Sequence, residues 1–182
     1  MANTNRTKGH NGERIYCNLF KDMGYTFCKT SRQASRLLDD AGIDLAFIPY
    51  NVQLKTGFHK ALNPIALLKN MREKIVEFFP PEDVVHFNPC IVIHRNQIGP
   101  GKKRVPNDDL VFMKPTTFRD LYTLNNPYSY ISNEKGGSKR GWTYRTALEE
   151  LSGSSIKVLI HTIKKEKIYV LSFVDFKKLI NK

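Results

Sequence analysis

Three polar residues, Asp44, Gln53 and Lys55, interrupt two short runs of β-formers that flank a Pro49-Tyr50 break. Such a pattern predicts an antiparallel hairpin. Side chains two apart on a strand share a face, so Gln53 and Lys55 point the same way. With the turn centred on Pro49-Tyr50, Ile48 faces Asn51, Ala46 faces Gln53, and Asp44 faces Lys55. Cross-strand partners stand within about 5 Å at Cβ. A carboxylate, an amide and an ammonium then converge, and the small Ala46 leaves room between them. That set suits a divalent cation and an attacking water. The plain alternative is a cross-strand ion pair between Asp44 and Lys55, worth about 0.2–1 kcal/mol. It leaves Gln53 on the same face without a purpose.

The surrounding elements must hold this set in place. Ile15, Leu19, Phe20 and Met23 repeat at helical spacing, which predicts a helix from about Gly12 to Met23, closed by Gly24. Glu13 lies in its first turn, at the edge of the apolar stripe. It either favours the helix dipole or reaches the site. Residues 1–11 read as a flexible polar tail. Tyr25 to Lys29 is strand-like, and Ser31 to Asp40 holds one helical turn at most. Asp39 and Asp40 read as turn residues. Pro64 opens a second helix that stops before Pro80-Pro81. Val84 to His94 reads as one or two strands. Val111–Met113 followed by Pro115–Tyr122, and Lys167–Phe173 followed by a helix from Val174, repeat a strand-then-helix unit. Ile156–Ile163 and Lys167–Phe173 form a hairpin. The fold class is α/β: a mixed sheet built around the 43–55 hairpin, flanked by helices. A core over 12–95 is followed by an α+β extension over 96–182.

The chain has 182 residues, with 29 basic against 17 acidic and a net charge of +12. A field of that sign attracts polyanions, nucleic acid before anionic membrane. Two Gly-rich basic loops concentrate it. One runs from Gly99 to Arg104 and offers Lys102, Lys103 and Arg104. The other runs from Lys135 to Trp142 and offers Lys135, Lys139, Arg140 and Trp142, with Arg145 beyond it. Basic groups interleaved with aromatics suit a phosphate backbone and unstacked bases; the bland alternative is a pair of solvated surface loops. No apolar run reaches about 18 residues, so no membrane span is predicted. The polar N-terminus lacks an apolar signal core, and a cytoplasmic location is expected. Cys17, Cys28 and Cys90 lack disulfide or zinc-site spacing and read as reduced thiols. The cysteines and Ser154-Ser155 have no visible base partner, so nucleophilic covalent catalysis is not expected.

Gly12-Glu13, Met23-Gly24-Tyr25, Asp40-Ala41-Gly42-Ile43-Asp44 and Gln53-Leu54-Lys55, in that order, resemble the Mrr-like branch of the PD-(D/E)xK restriction-endonuclease superfamily. The resemblance covers residues 12–57. Gln53 stands where the superfamily more often has an acid, a variant found in this branch, and Ile43 stands where the name-giving proline would be. The resemblance implies a restriction-endonuclease-like sheet and a Mg²⁺-dependent endonuclease that hydrolyses phosphodiester bonds in DNA, with Mn²⁺ able to substitute. It implies Asp44 as principal metal ligand, Glu13 as a direct or water-mediated one, and Gln53 and the Leu54 carbonyl as further oxygens. Lys55 would orient the water or stabilise charge on the phosphate. A homodimer is expected, because cutting both strands takes two sites. Three rivals remain. They are a non-catalytic nucleic-acid-binding protein that keeps the fold, a structure-selective enzyme resembling Holliday-junction resolvases, and an interaction protein with an acidic protein partner.

Overall fold

Tyr16, Cys17 and Phe20 bury one stripe of the first helix, and Glu13 lies on the same stripe one turn earlier. The structure, a computed structural model, describes residues 4–57, 62–96, 109–125, 130–135, 148, 151, 155–163 and 165–180. The chain divides into two compact units, Met1–Thr56 with Ala66–Val92, and Gly57–Ile65 with Ile93–Lys182.

In the first unit the opening helix, α1, spans Thr4–Asp22. It starts well before Gly12, so residues 4–11 are helical where a tail was expected. Those residues carry no apolar period. Once a buried turn nucleates a helix, however, each further residue adds one hydrogen bond at little cost. Gly24, at φ 96°, ends it, and the Tyr25 N–H donates back to the Phe20 carbonyl at 3.0 Å. Two short strands, β1 (Lys29–Thr30) and β2 (Leu45–Ala46), pair antiparallel with Lys29 opposite Ala46. Between them run α2 (Ser31–Ala34) and α3 (Arg36–Asp40). The strand β3 (Asn51–Gly57) follows, then α4 (Pro64–Phe78), a 3₁₀ turn at Val84–His86, and β4 (Cys90–Asn96) beside β3.

The expected 43–55 hairpin does not form. β2 pairs with β1, and β3 pairs with β4. Residues 47–50 are bends, and Phe47 takes φ 61°. Pro49 has no N–H to give a ladder, and its ring fixes φ. One rung survives: the Asp44 N–H donates to the Val52 carbonyl at 2.7 Å.

In the second unit β5 (Asp109–Met113), β6 (Tyr130–Lys135), β7 (Ile156–Ile163) and β8 (Glu166–Ser172) join the later part of β4 in the order β4-β5-β8-β7-β6. β8 is antiparallel to β5 and β7, whereas β6 and β7 are parallel, so the sheet is mixed. The helices α5 (Pro115–Asn125) and α6 (Phe173–Ile180) touch each other, and α6 packs on β5, β7 and β8. The expected strand-then-helix repeat is thus present as β5-α5 and β8-α6. Leu110 to Met113 are all buried, the mark of a strand covered on both faces. Phe176 and Leu179 are wholly buried, each contributing about 1.5–3 kcal/mol. Ser172 caps α6: its Oγ accepts the Asp175 N–H at 3.1 Å and donates to Asp175 Oδ2 at 3.0 Å. Among the described residues no helix is long and apolar enough to cross a membrane.

Candidate active site

Asp44 lies just ahead of β2 and is fixed from three sides. Its N–H reaches Val52, its carbonyl accepts the Ser31 N–H at 2.9 Å, and its Oδ2 accepts the Leu54 N–H at 2.6 Å. The second carboxylate oxygen has no hydrogen-bond partner among the described residues. Lys55 does not pair with it directly: no ion pair to Lys55 lies within 4.0 Å among the described residues. Lys55 is half-buried and near enough for its charge to act on Asp44.

Burial pushes the Asp44 carboxyl up to about 7. The Leu54 hydrogen bond opposes that rise, the Glu13 charge adds to it, Lys55 lowers it, and Asp39 raises it again. The fold therefore gathers three carboxylates, Asp44, Glu13 and Asp39, within electrostatic reach of one another. Glu13 is 6% exposed, and its Oε2 lies 3.3 Å from Arg32 Nε. Arg32 also stands 3.8 Å from Asp39, which accepts from Ser31 Oγ at 3.3 Å.

Gln53 is 6% exposed, and its Oε1 is buried with no hydrogen-bond partner among the described residues. Its Nε2 stands 2.7 Å from the point a Cβ on residue 42 would occupy. Gly42 makes that approach possible. It also sits at φ 76°, in the left-handed region.

Among the described residues no group of three or more His, Cys, Asp and Glu side chains stands close enough to hold a metal by itself. Two side-chain oxygens of the kind a hard cation takes are nonetheless left without a hydrogen bond among the described residues. Asp44 has a free carboxylate oxygen, and Gln53 has a buried acceptor without a donor. Magnesium is commonly held by one or two carboxylates while keeping several waters. Glu13 is the less direct candidate, because Arg32 engages it. Leu54, expected through its carbonyl, meets Asp44 through its N–H.

Of the set foreseen in the sequence, Glu13 and Lys55 lie within electrostatic reach of Asp44, and Gln53 lies in the same unit with its side chain against Gly42. Arg32, Asp39 and Gly42 were not foreseen as site residues. Arg32 and Asp39 lie in a polar stretch without period, whereas Gly42 stands inside the Asp40-to-Asp44 motif, which gave it no role of its own. Of the expected nucleic-acid contacts, Lys102, Lys103, Arg104, Lys139, Arg140, Trp142 and Arg145 lie outside the described residues. The backbone of Lys135 closes β6 opposite His161, and its side chain lies outside them too. In the sequence, the second unit holds 18 of the 29 basic and 8 of the 17 acidic residues; the first holds 11 and 9. The positive excess is therefore ten in one unit and two in the other. Set against protein-family models, curated proteins and solved structures, the chain matches none of them.

Proposed function

We propose that the protein is a divalent-metal-dependent nuclease that hydrolyses phosphodiester bonds in DNA, built on a restriction-endonuclease-like fold. One observation carries this reading. Gln53, whose buried side-chain oxygen has no partner among the described residues, directly precedes Leu54, whose N–H binds the Asp44 carboxylate, a carboxyl that burial has pushed up to about 7. An acceptor without a donor beside an acid that resists ionising is a site that a cation would relieve. Asp44 and Gln53 would hold Mg²⁺ or Mn²⁺, with Glu13 reached through water. The bound metal would supply an acidified water and a polarised phosphoryl oxygen. Lys55 would stabilise charge gathering on the phosphate. The basic excess of the second unit would hold the polyanion.

Incubation of supercoiled plasmid with and without Mg²⁺ or Mn²⁺ tests this. Metal-dependent nicking or linearisation is expected, and Asp44→Ala or Lys55→Ala should lower it at least a hundredfold, on the order of one lost charge-stabilising group. Intact plasmid in every condition overturns it. A second reading, a DNA-binding protein without catalysis, is favoured by the Arg32–Glu13 pair, which occupies one of the expected ligands. On that reading wild-type protein retards DNA but never cuts it. Four-way junctions compared with linear duplex separate a structure-selective enzyme from a general one.

A further inference from the structure

The first unit contains a cavity of about 340 Å³, lined by Leu38, Ile43, Leu45, Phe47, Val85 and Asn51 among others. Ile43 and Leu45 flank Asp44 in sequence, and Asp44 is not part of the lining. Residues 45–51 all line the cavity, so it lies against the bends that follow β2 and not against Asp44.

Phe47 lines the cavity yet is 62% exposed, so its ring belongs to the rim. It sits at φ 61°, a left-handed conformation that costs a bulky residue roughly 1–2 kcal/mol. Strain of this kind persists where surroundings impose it, often at ligand clamps. Lys29 Nζ stands 5.8 Å from the centroid of the same ring. A second cation, Arg72, donates to the His86 carbonyl at 2.6 Å, on the 3₁₀ turn that supplies Val85. The nearby acid Asp83 is turned onto that turn, accepting the Val85 N–H at 3.0 Å. Inside, Asn51 is 2% exposed. Its Nδ2 donates to the carbonyls of Val85 at 2.7 Å and Asn88 at 3.1 Å. Its side-chain oxygen accepts no hydrogen bond among the described residues, and Asn51 is one of the cavity's lining residues.

We propose that this cavity receives an unpaired nucleobase, with Phe47 as stacking platform and Lys29 for the adjoining phosphate. An aliphatic guest would fill the lining but give nothing to Lys29 or to the Asn51 oxygen. A base brings a flat apolar body, and adenine, cytosine and guanine carry an amino donor on the edge. Its phosphate follows one sugar away. Extruded or single-stranded bases are held in this manner, between aromatic and apolar walls. The inference rests on nucleic acid as the partner, but on binding alone and not on cleavage.

The test uses the full chain, in EDTA, with a single-stranded oligonucleotide carrying a central 2-aminopurine. Wild type is expected to bind it with a change in 2-aminopurine emission. Phe47→Ala should lose that change and bind about tenfold more weakly. Phe47→Trp should keep both, and Lys29→Ala should weaken binding while keeping the emission change. Thermal melting should leave Phe47→Ala as stable as wild type, since the ring is exposed. The proposal is overturned if Phe47→Ala matches wild type in affinity and signal, or if wild type binds with no emission change. A wild-type dimer that becomes monomeric in Phe47→Ala, with oligonucleotide binding unchanged, also overturns it and assigns the cavity to a second copy. Base binding by a protein that never cuts plasmid sinks the hydrolase reading and leaves this one standing.

Discussion

Asp44 Oδ2 accepts the Leu54 N–H at 2.6 Å, so the acid is anchored to β3 by the backbone and not by the lysine one residue further on. Among the described residues Lys55 makes no short ion pair. The anchor also explains how Asp44 stays beside β3 although β2 pairs elsewhere: a backbone rung to Val52 and a side-chain bond to Leu54 replace a ladder. The acid is thereby held in a half-buried place where ionisation is disfavoured.

A pH dependence of stability follows. The folded-state value of about 7 lies above the ordinary 3.8. Between those two values the folded chain binds more protons at Asp44 than the unfolded chain does. Asp44 therefore contributes stability that is fully present below about pH 4 and is lost as pH rises through 7. Asp44→Asn removes the titration while its amide oxygen can still accept from Leu54. The variant should gain on wild type at pH 8 by roughly 1–3 kcal/mol and show no gain near pH 4. Urea melts at the two pH values check this. A wild type whose stability is flat between pH 4 and 8 would contradict it.

A divalent cation acts on the same group with the opposite sign. Binding to the ionised carboxylate should raise the melting temperature of wild type at pH 8 by a few degrees when metal greatly exceeds its dissociation constant. The shift should shrink at pH 5, where Asp44 holds its proton. Asp44→Asn should show little shift at either pH. Scanning calorimetry with Mg²⁺, Mn²⁺ and EDTA reads this without any cleavage assay.

Much of this arrangement is written locally in the chain. A helix at α1 was legible from Ile15, Leu19 and Phe20, but the face it buries is Tyr16, Cys17 and Phe20 while Ile15 is exposed; Pro64 opens α4 as its fixed φ requires. Lys165, at φ 73°, lies between β7 and β8 where a tight turn was legible. The partner of β2 was not legible. Two residues, Leu45 and Ala46, carry too little pattern to choose between β1 and β3. Adjacency in sequence favoured the hairpin, but the bends at 47–50 preclude it. Likewise Glu13 could be suspected from its type, whereas its guanidinium partner comes from Arg32, inside a polar stretch with no period to read.

Gly42 is the position where a single methyl should be felt most. An alanine there must hold φ 76° and place its Cβ 2.7 Å from Gln53 Nε2. The first demand costs roughly 1–2 kcal/mol; the second is met by moving the end of a side chain. Gly42→Ala should therefore lose about 1–3 kcal/mol in denaturant melts. Adding Gln53→Ala should recover only the part due to the clash. Full recovery in the double variant would place the whole cost in the contact and none in the backbone.

Arg32 separates a structural Glu13 from a metal-binding one. Its guanidinium lies 3.3 Å from Glu13, whose side chain is 8% exposed, while Arg32 itself is 40% exposed. Arg32→Ala strands a buried carboxylate, and about 1–3 kcal/mol of stability should go with it. Glu13→Gln in that background should regain part of the loss, because a neutral amide is cheaper to bury. The metal dependence discriminates further. If Glu13 joins the cation, freeing it from Arg32 should lower the Mg²⁺ concentration needed for half-maximal thermal stabilisation, and Glu13→Gln should abolish that gain. If Arg32→Ala destabilises the chain while the Mg²⁺ titration stays put, Glu13 holds α1 to the 31–40 segment and takes no part in binding the ion.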